Sequence, residues 1–164
     1  MKLAPRALPE LLAGRRIASV TGTNGKTTTT HFLTAAVRAE TPDGQRSVVT
    51  NADGANLHHG IVSALGQAPD ATIAVLETDE RVVADVVAMG SPEVLVLLNF
   101  SRDQLDRNHE LTFLGRDWRA ALEKAAEHGP TVVANACDPL IVWVCQKARH
   151  VIWVDTKPLS LIHI

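Results

Sequence analysis

Six short apolar runs mark the chain, at Ile17–Val20, Ser47–Thr50, Thr72–Leu76, Val94–Leu98, Thr131–Ala134 and Val151–Val154. They are rich in β-branched residues and apolar almost throughout instead of alternating, the pattern of strands covered on both faces. Between most of them apolar residues recur at helical spacing, over Thr27–Ala39, Ala55–Leu65, Glu80–Met89, Leu111–Glu127 and Pro139–Lys147. Strands alternating with helices imply right-handed crossovers. The expected fold is α/β: a doubly wound, mostly parallel sheet with helices on both faces. Such sheets bind ligands at the carboxyl ends of their strands. Leu3–Leu12, with Pro5 and Pro9, reads as a lead-in, so a segment 1–15 precedes a domain 16–155 and a tail 156–164 follows it.

Composition narrows the function classes. At 164 residues the chain is about one domain. A hydrophobic share of 46%, 21% charged residues and a net charge of −2 give no basic excess to suggest nucleic acid. No apolar run approaches the ~20 residues of a membrane span, and Met1–Gly14 lacks a signal-peptide core, so a cytoplasmic chain is expected. Cys137 and Cys145 lie eight apart with no clustered partner, which favours two small core or helix residues over a disulfide or a zinc site.

The first strand runs into Gly22-Thr23-Asn24-Gly25-Lys26-Thr27-Thr28 and then a helix. Glycine and threonine open a helix poorly. A glycine-rich turn between strand and helix, however, aims backbone N–H groups and the helix dipole at one spot, where a phosphate chain fits. Lys26 neutralises phosphate there, and the Thr27 hydroxyl can ligate Mg²⁺. The loop is a shorter variant of the common pattern, since Val20 stands where that pattern has its first glycine. Lys26 is expected to be exposed. His58 and His59 are adjacent and diverge on a helix, so they read as surface residues, and His31 reads as a packing residue.

The wording TGTNGKTTT, Thr21–Thr29, resembles the ATP-binding loop of the Mur ligase family, and further family motifs follow in order. LETDE carries Glu77 at the tip of a strand, where the resemblance implies a magnesium-binding glutamate; alone it reads equally as a solvated acid. NFSRDQLDR, Asn99–Arg107, is similar to the family's Asp-His-Leu-Asp segment. Asn135-Ala136-Cys137-Asp138-Pro139 resembles the segment meeting adenine and ribose, which the resemblance assigns to Asn135 and Asp138; alone it reads as a helix-capping turn. Asn56, in the GANL turn, matches an asparagine that reaches the γ-phosphate in the family, with an ordinary turn asparagine as the rival reading. The resemblance thus implies ATP and Mg²⁺ as cofactors, with Thr27 and Glu77 on the metal.

Two departures refine this. Gln104 stands where most of these ligases have a metal-binding histidine, and Gly115–Arg119 has no lysine where they carry a carbamylated one. With TNADGANL, Thr50–Leu57, and RDQLDR, Arg102–Arg107, this resembles the MurT branch, the Mur-ligase-like subunits of lipid II isoglutaminyl synthase. That implies activation of the D-glutamate α-carboxylate of lipid II as an acyl phosphate, then amidation by ammonia from a GatD-type glutamine amidotransferase partner, in peptidoglycan synthesis. A folylpolyglutamate- or cyanophycin-type ligase, and a nucleotide-binding fragment without catalysis, stay open as alternatives. The chain reads as a fragment lacking the branch's zinc ribbon and carboxy-terminal domain, so no catalytic residue is assigned within it. The tail LSLIHI is expected to be foreign to the family.

Overall fold

A computed structural model describes residues 6–100, 108–125 and 127–155. Six strands form one sheet: β1 (Arg16–Thr21), β2 (Val48–Thr50), β3 (Ile73–Glu77), β4 (Val94–Leu97), β5 (Thr131–Asn135) and β6 (His150–Val154). Their order is β2-β3-β1-β4-β5-β6 and every pairing is parallel. The expected α/β class and all six apolar runs are borne out, each strand lying within a residue or two of its run. Helices α2 (Lys26–Glu40), α4 (His58–Gln67), α5 (Val83–Gly90), α6 (Asn108–Lys124) and α7 (Pro139–Cys145) make the crossovers.

Two helices escaped the sequence pattern. α1 (Ala7–Leu12) contains Pro9, but in its first turn, where a missing N–H breaks no helical bond. It buries Leu8 and Leu12 one turn apart. α3 (Gly44–Ser47) is a single turn before β2.

The two faces of the sheet are covered unequally. Ile17, Ala74, Leu76, Leu95, Leu97, Val132 and Ala134 point to one face and pack against α1, α4, α5, α6 and α7. There, Ile61, Leu65, Trp118 and Ile141 are fully enclosed. The other face carries α2, which buries Thr30 and Thr34. On that face Val94, Val96 and Val133 are only half-buried, and Ile152 and Val154 of edge strand β6 are exposed.

Register aligns the strand ends. Val20 lies beside Glu77, Thr21 beside Leu97, and Leu97 beside Ala134. The loops leaving β1, β3, β4 and β5 therefore open along one edge of the sheet, its carboxyl end.

Candidate functional site

β1 ends at Thr21, and the chain turns through Gly22–Gly25 into α2. Gly22 (φ 139°) and Gly25 (φ 84°) take backbone conformations that side chains resist. A Cβ on Gly22 would lie 2.8 Å from Leu98 Cβ and 2.9 Å from the Asn99 nitrogen, so the loop rests directly on the end of β4. Asn99 fastens it there. Its carbonyl accepts the Thr23 N–H at 2.9 Å, its side-chain oxygen accepts the Asn24 N–H at 2.9 Å, and its amide donates to the Asn24 carbonyl at 3.0 Å. The donors left at the turn are the backbone N–H groups of Gly25, Lys26, Thr27 and Thr28, which have no partner among the described residues. Four such N–H groups at the positive end of a fifteen-residue helix form a cradle that can receive an anion. It is carried by the first turn of α2 more than by the loop itself. Thr27 and Thr28 are exposed over it.

Lys26 departs from expectation. Its side chain is only 14% exposed, because the ammonium folds back over the turn. It donates to the Gly22 carbonyl at 2.5 Å, the Thr23 carbonyl at 3.3 Å and Glu80 Oε1 at 3.4 Å. An ammonium has three donors and no acceptor, and in this loop the nearest carbonyls and carboxylate satisfy all three.

Beside the loop, Glu77 closes β3 as a buried carboxylate, 5% exposed. Asn51 fixes its backbone, accepting the Glu77 N–H at 2.8 Å and donating to the Glu77 carbonyl at 2.9 Å and the Ala55 carbonyl at 3.1 Å. Asn56 donates to Glu77 Oε1 at 3.0 Å. The solvated-acid reading of Glu77 thus gives way to a held carboxylate, and Asn56 acts on that carboxylate. The following Asp79 is pushed up by burial. Hydrogen bonds from the Arg81 side chain and N–H outweigh this and hold it below the ordinary carboxylate range, with a smaller pull from Lys26.

At the end of β5 the capping reading holds in full. Asp138 Oδ1 accepts the N–H groups of Leu140 and Ile141 at 2.9 and 3.2 Å, and Oδ2 accepts the Phe100 N–H at 2.6 Å. Asn135 donates to the Leu98 carbonyl at 2.8 Å and accepts the Cys137 N–H at 2.8 Å. Asn135 and Leu98, joined by that bond, stand in the wall of a cavity of about 270 Å³ lined also by Gly25, Thr29, Val96 and Val133, among others, whereas Asp138 is outside its lining. Its lining is mainly apolar and it opens beside the α2 amino end, a place suited to a flat ring joined to a phosphate chain.

Elsewhere, Trp118 is buried and stacks on Phe100 with centroids 4.5 Å apart, and its indole N–H donates to the Glu80 carbonyl at 2.8 Å. His58 is partly exposed, 2.8 Å from Asp85, while His59 faces solvent. His31 is exposed and 3.4 Å from Asp53, so it is no packing residue. Cys145 is buried and Cys137 exposed. Gln104 and the rest of Arg102–Arg107 lie outside the described residues, as does 156–164.

The residues present fit a magnesium nucleotide. Gly22 and Gly25 let the backbone close around the cradle, and Thr27 and Glu77 supply hard oxygen donors. Among the described residues no three His, Cys, Asp or Glu side chains form a metal cage. Mg²⁺ bound to phosphates needs only one or two protein oxygens.

Residues 20–157 match the Mur ligase middle domain. The chain is 33% identical over 127 residues to the lipid II isoglutaminyl synthase (glutamine-hydrolyzing) subunit MurT of Staphylococcus aureus strain COL, covering 76% of this chain and 28% of that protein. To the MurT subunit of Streptococcus pneumoniae R6 it is 40% identical over 137 residues, covering 81% and 29%. A UDP-N-acetylmuramate–L-alanine ligase of Saccharopolyspora erythraea is 36% identical over 134 residues, covering 80% and 25%. Among solved structures, UDP-N-acetylmuramoyl-L-alanyl-D-glutamate–2,6-diaminopimelate ligase superposes with a TM-score of 0.60 at 21% identity, over 89% of this chain and 33% of that one. The chain spans between a quarter and a third of the length of these relatives.

Proposed function

The chain belongs to the Mur ligase family, and on that premise we propose that it is the Mg-ATP-binding domain of an amide-forming ligase subunit of peptidoglycan synthesis. The observation that carries the reading is the cradle at the start of α2, with its four free N–H groups, Lys26 above it and the buried Glu77 carboxylate beside it. When bound, ATP supplies the phosphoryl group that turns a carboxylate into an acyl phosphate with a good leaving group. This chain's part is positioning and charge neutralisation, which carry most of phosphoryl transfer.

The N–H groups of Gly25 to Thr28 hold phosphate oxygens, and Lys26 neutralises their charge. Thr27 and Glu77 would hold the magnesium ion, with Asn56 fixing the Glu77 carboxylate and lying where the family resemblance puts a γ-phosphate contact. Asn99 keeps Gly22, Thr23 and Asn24 in the conformation that aims the cradle. Asn135 stands in the wall that the adenosine faces, while Asp138 holds the Phe100 N–H and the start of α7. The acceptor proposed is the D-glutamate α-carboxylate of lipid II, and the nitrogen is ammonia delivered by a glutamine amidotransferase subunit of the GatD type, in the cytoplasm. The support is likeness to two MurT subunits of glutamine-hydrolysing lipid II isoglutaminyl synthase.

Titration of the purified chain with Mg-ATP is the test, read by thermal shift and calorimetry. A saturable rise in melting temperature is expected, weakened at least tenfold in affinity by Lys26→Ala with the circular dichroism unchanged. No binding by the parent chain, or equal binding by Lys26→Ala, overturns the reading. Given lipid II, Mg-ATP and ammonium, this chain alone is expected to leave the stem-peptide mass unchanged.

A further inference from the structure

We propose that Glu80 is a positioning residue for Lys26, one that competes with nucleotide phosphate for the ammonium and so sets how tightly the site holds its nucleotide. The inference rests on the phosphate-cradle reading and deepens it. Its starting point is the donor count. Lys26 has three N–H bonds and three acceptors, and two of those are loop carbonyls. A phosphate oxygen gains a donor only by displacing one of them. Glu80, at 3.4 Å, is the longest contact and the one charged acceptor.

Glu80 is held in this place from beneath. Its carbonyl accepts the indole N–H of Trp118, which is 1% exposed and stacked on Phe100. The backbone at Glu80 is thereby tied to the core while its carboxylate stands at the rim over the loop. Neighbouring Asp79 is no substitute, since Arg81 takes both its oxygens. The Lys26 and Glu80 side chains are 14% and 17% exposed, so solvent screens the pair less than a surface one. When phosphate takes the ammonium, Glu80 is left as a poorly solvated, unpaired carboxylate close to another anion. That cost opposes binding. Replacing the carboxylate by an amide removes it while keeping shape and a hydrogen-bonding oxygen.

The experiment is a double-mutant cycle on the whole chain, with Kd for ADP and ATP measured by calorimetry with and without magnesium, in parent, Glu80→Gln, Lys26→Ala and the double variant. Glu80→Gln is expected to lower Kd roughly three- to tenfold, a gain that a merely structural role does not produce. In the Lys26→Ala background the same change is expected to have little effect. Equal gains in both backgrounds would assign Glu80 to general repulsion and overturn the inference. So would a Glu80→Gln loss confined to magnesium-bound nucleotide, which would make Glu80 a metal ligand. A parent chain that binds no nucleotide sinks the cradle reading and this inference together, whereas unchanged affinity in Glu80→Gln sinks the inference alone. Glu80→Asp, if Glu80→Gln fails to fold, is expected to give a smaller gain, because the shorter carboxylate reaches Lys26 less well.

Discussion

Asn56 donates its side-chain amide to Glu77 Oε1 at 3.0 Å, joining the turn after β2 to the tip of β3. With Asn51 clamping the Glu77 backbone, this fixes the strand end and one carboxylate oxygen.

Glu77→Gln is therefore expected to weaken magnesium-dependent nucleotide binding at least tenfold and metal-free binding less than twofold. An amide oxygen cannot supply the carboxylate's charge to a hard cation. Calorimetry with and without magnesium reads the difference, and equal losses would make Glu77 a structural acid only.

Gly22→Ala should be severe where Gly14→Ala is mild. Both residues have positive φ, but a Cβ at Gly22 meets Leu98 and Asn99 below 3 Å while one at Gly14 meets nothing within 4 Å. The expected costs are about 2–4 kcal/mol and about 1 kcal/mol, measured by urea unfolding.

Asp138→Ala should destabilise even without nucleotide, by about 2 kcal/mol. It removes the α7 cap and leaves the Phe100 N–H without its acceptor. Asp138→Asn should recover part of this. A loss seen only in nucleotide affinity would instead mark a direct ligand contact.

Burial pushes the Cys145 thiol up to about 12, whereas an unfolded thiol ionises near about 8.5. Between those values the unfolded chain binds fewer protons, so this contribution to stability is full below about pH 8.5 and falls as pH rises through the window. Urea midpoints should decline over that range more steeply in the parent than in Cys145→Ala. Iodoacetamide should leave Cys145 unlabelled in the folded chain.

The strands were legible because five helices bury one face of the sheet and α2 shields much of the other, which writes β3 as an unbroken apolar run and β1 as one interrupted only by the buried Ser19. Gly22 and Lys26 were legible because backbone strain and charge demand particular residue types in a strand-to-helix turn, whereas Glu77, alone an ordinary acid, stood out only through the family resemblance. Asn51 and Asn99 were not. Their work is done through side-chain bonds to residues 26 and 75 positions away, which leave no local periodicity. The depth of Lys26 was missed for a similar reason. Its partner Glu80 arrives from another strand–helix turn, and only the β1–β3 register brings it near.

The Asn99 clasp has a consequence for how the protein comes to be. Asn24 and Asn99 meet only after β4 has docked on β1, past the intervening β2–β3 unit. Contacts so distant along the chain slow folding more than they cost stability. A nucleotide that bound only the clasped form would stabilise it by mass action, so the Asn24–Asn99 contact would tie the completeness of the fold to occupancy of the site.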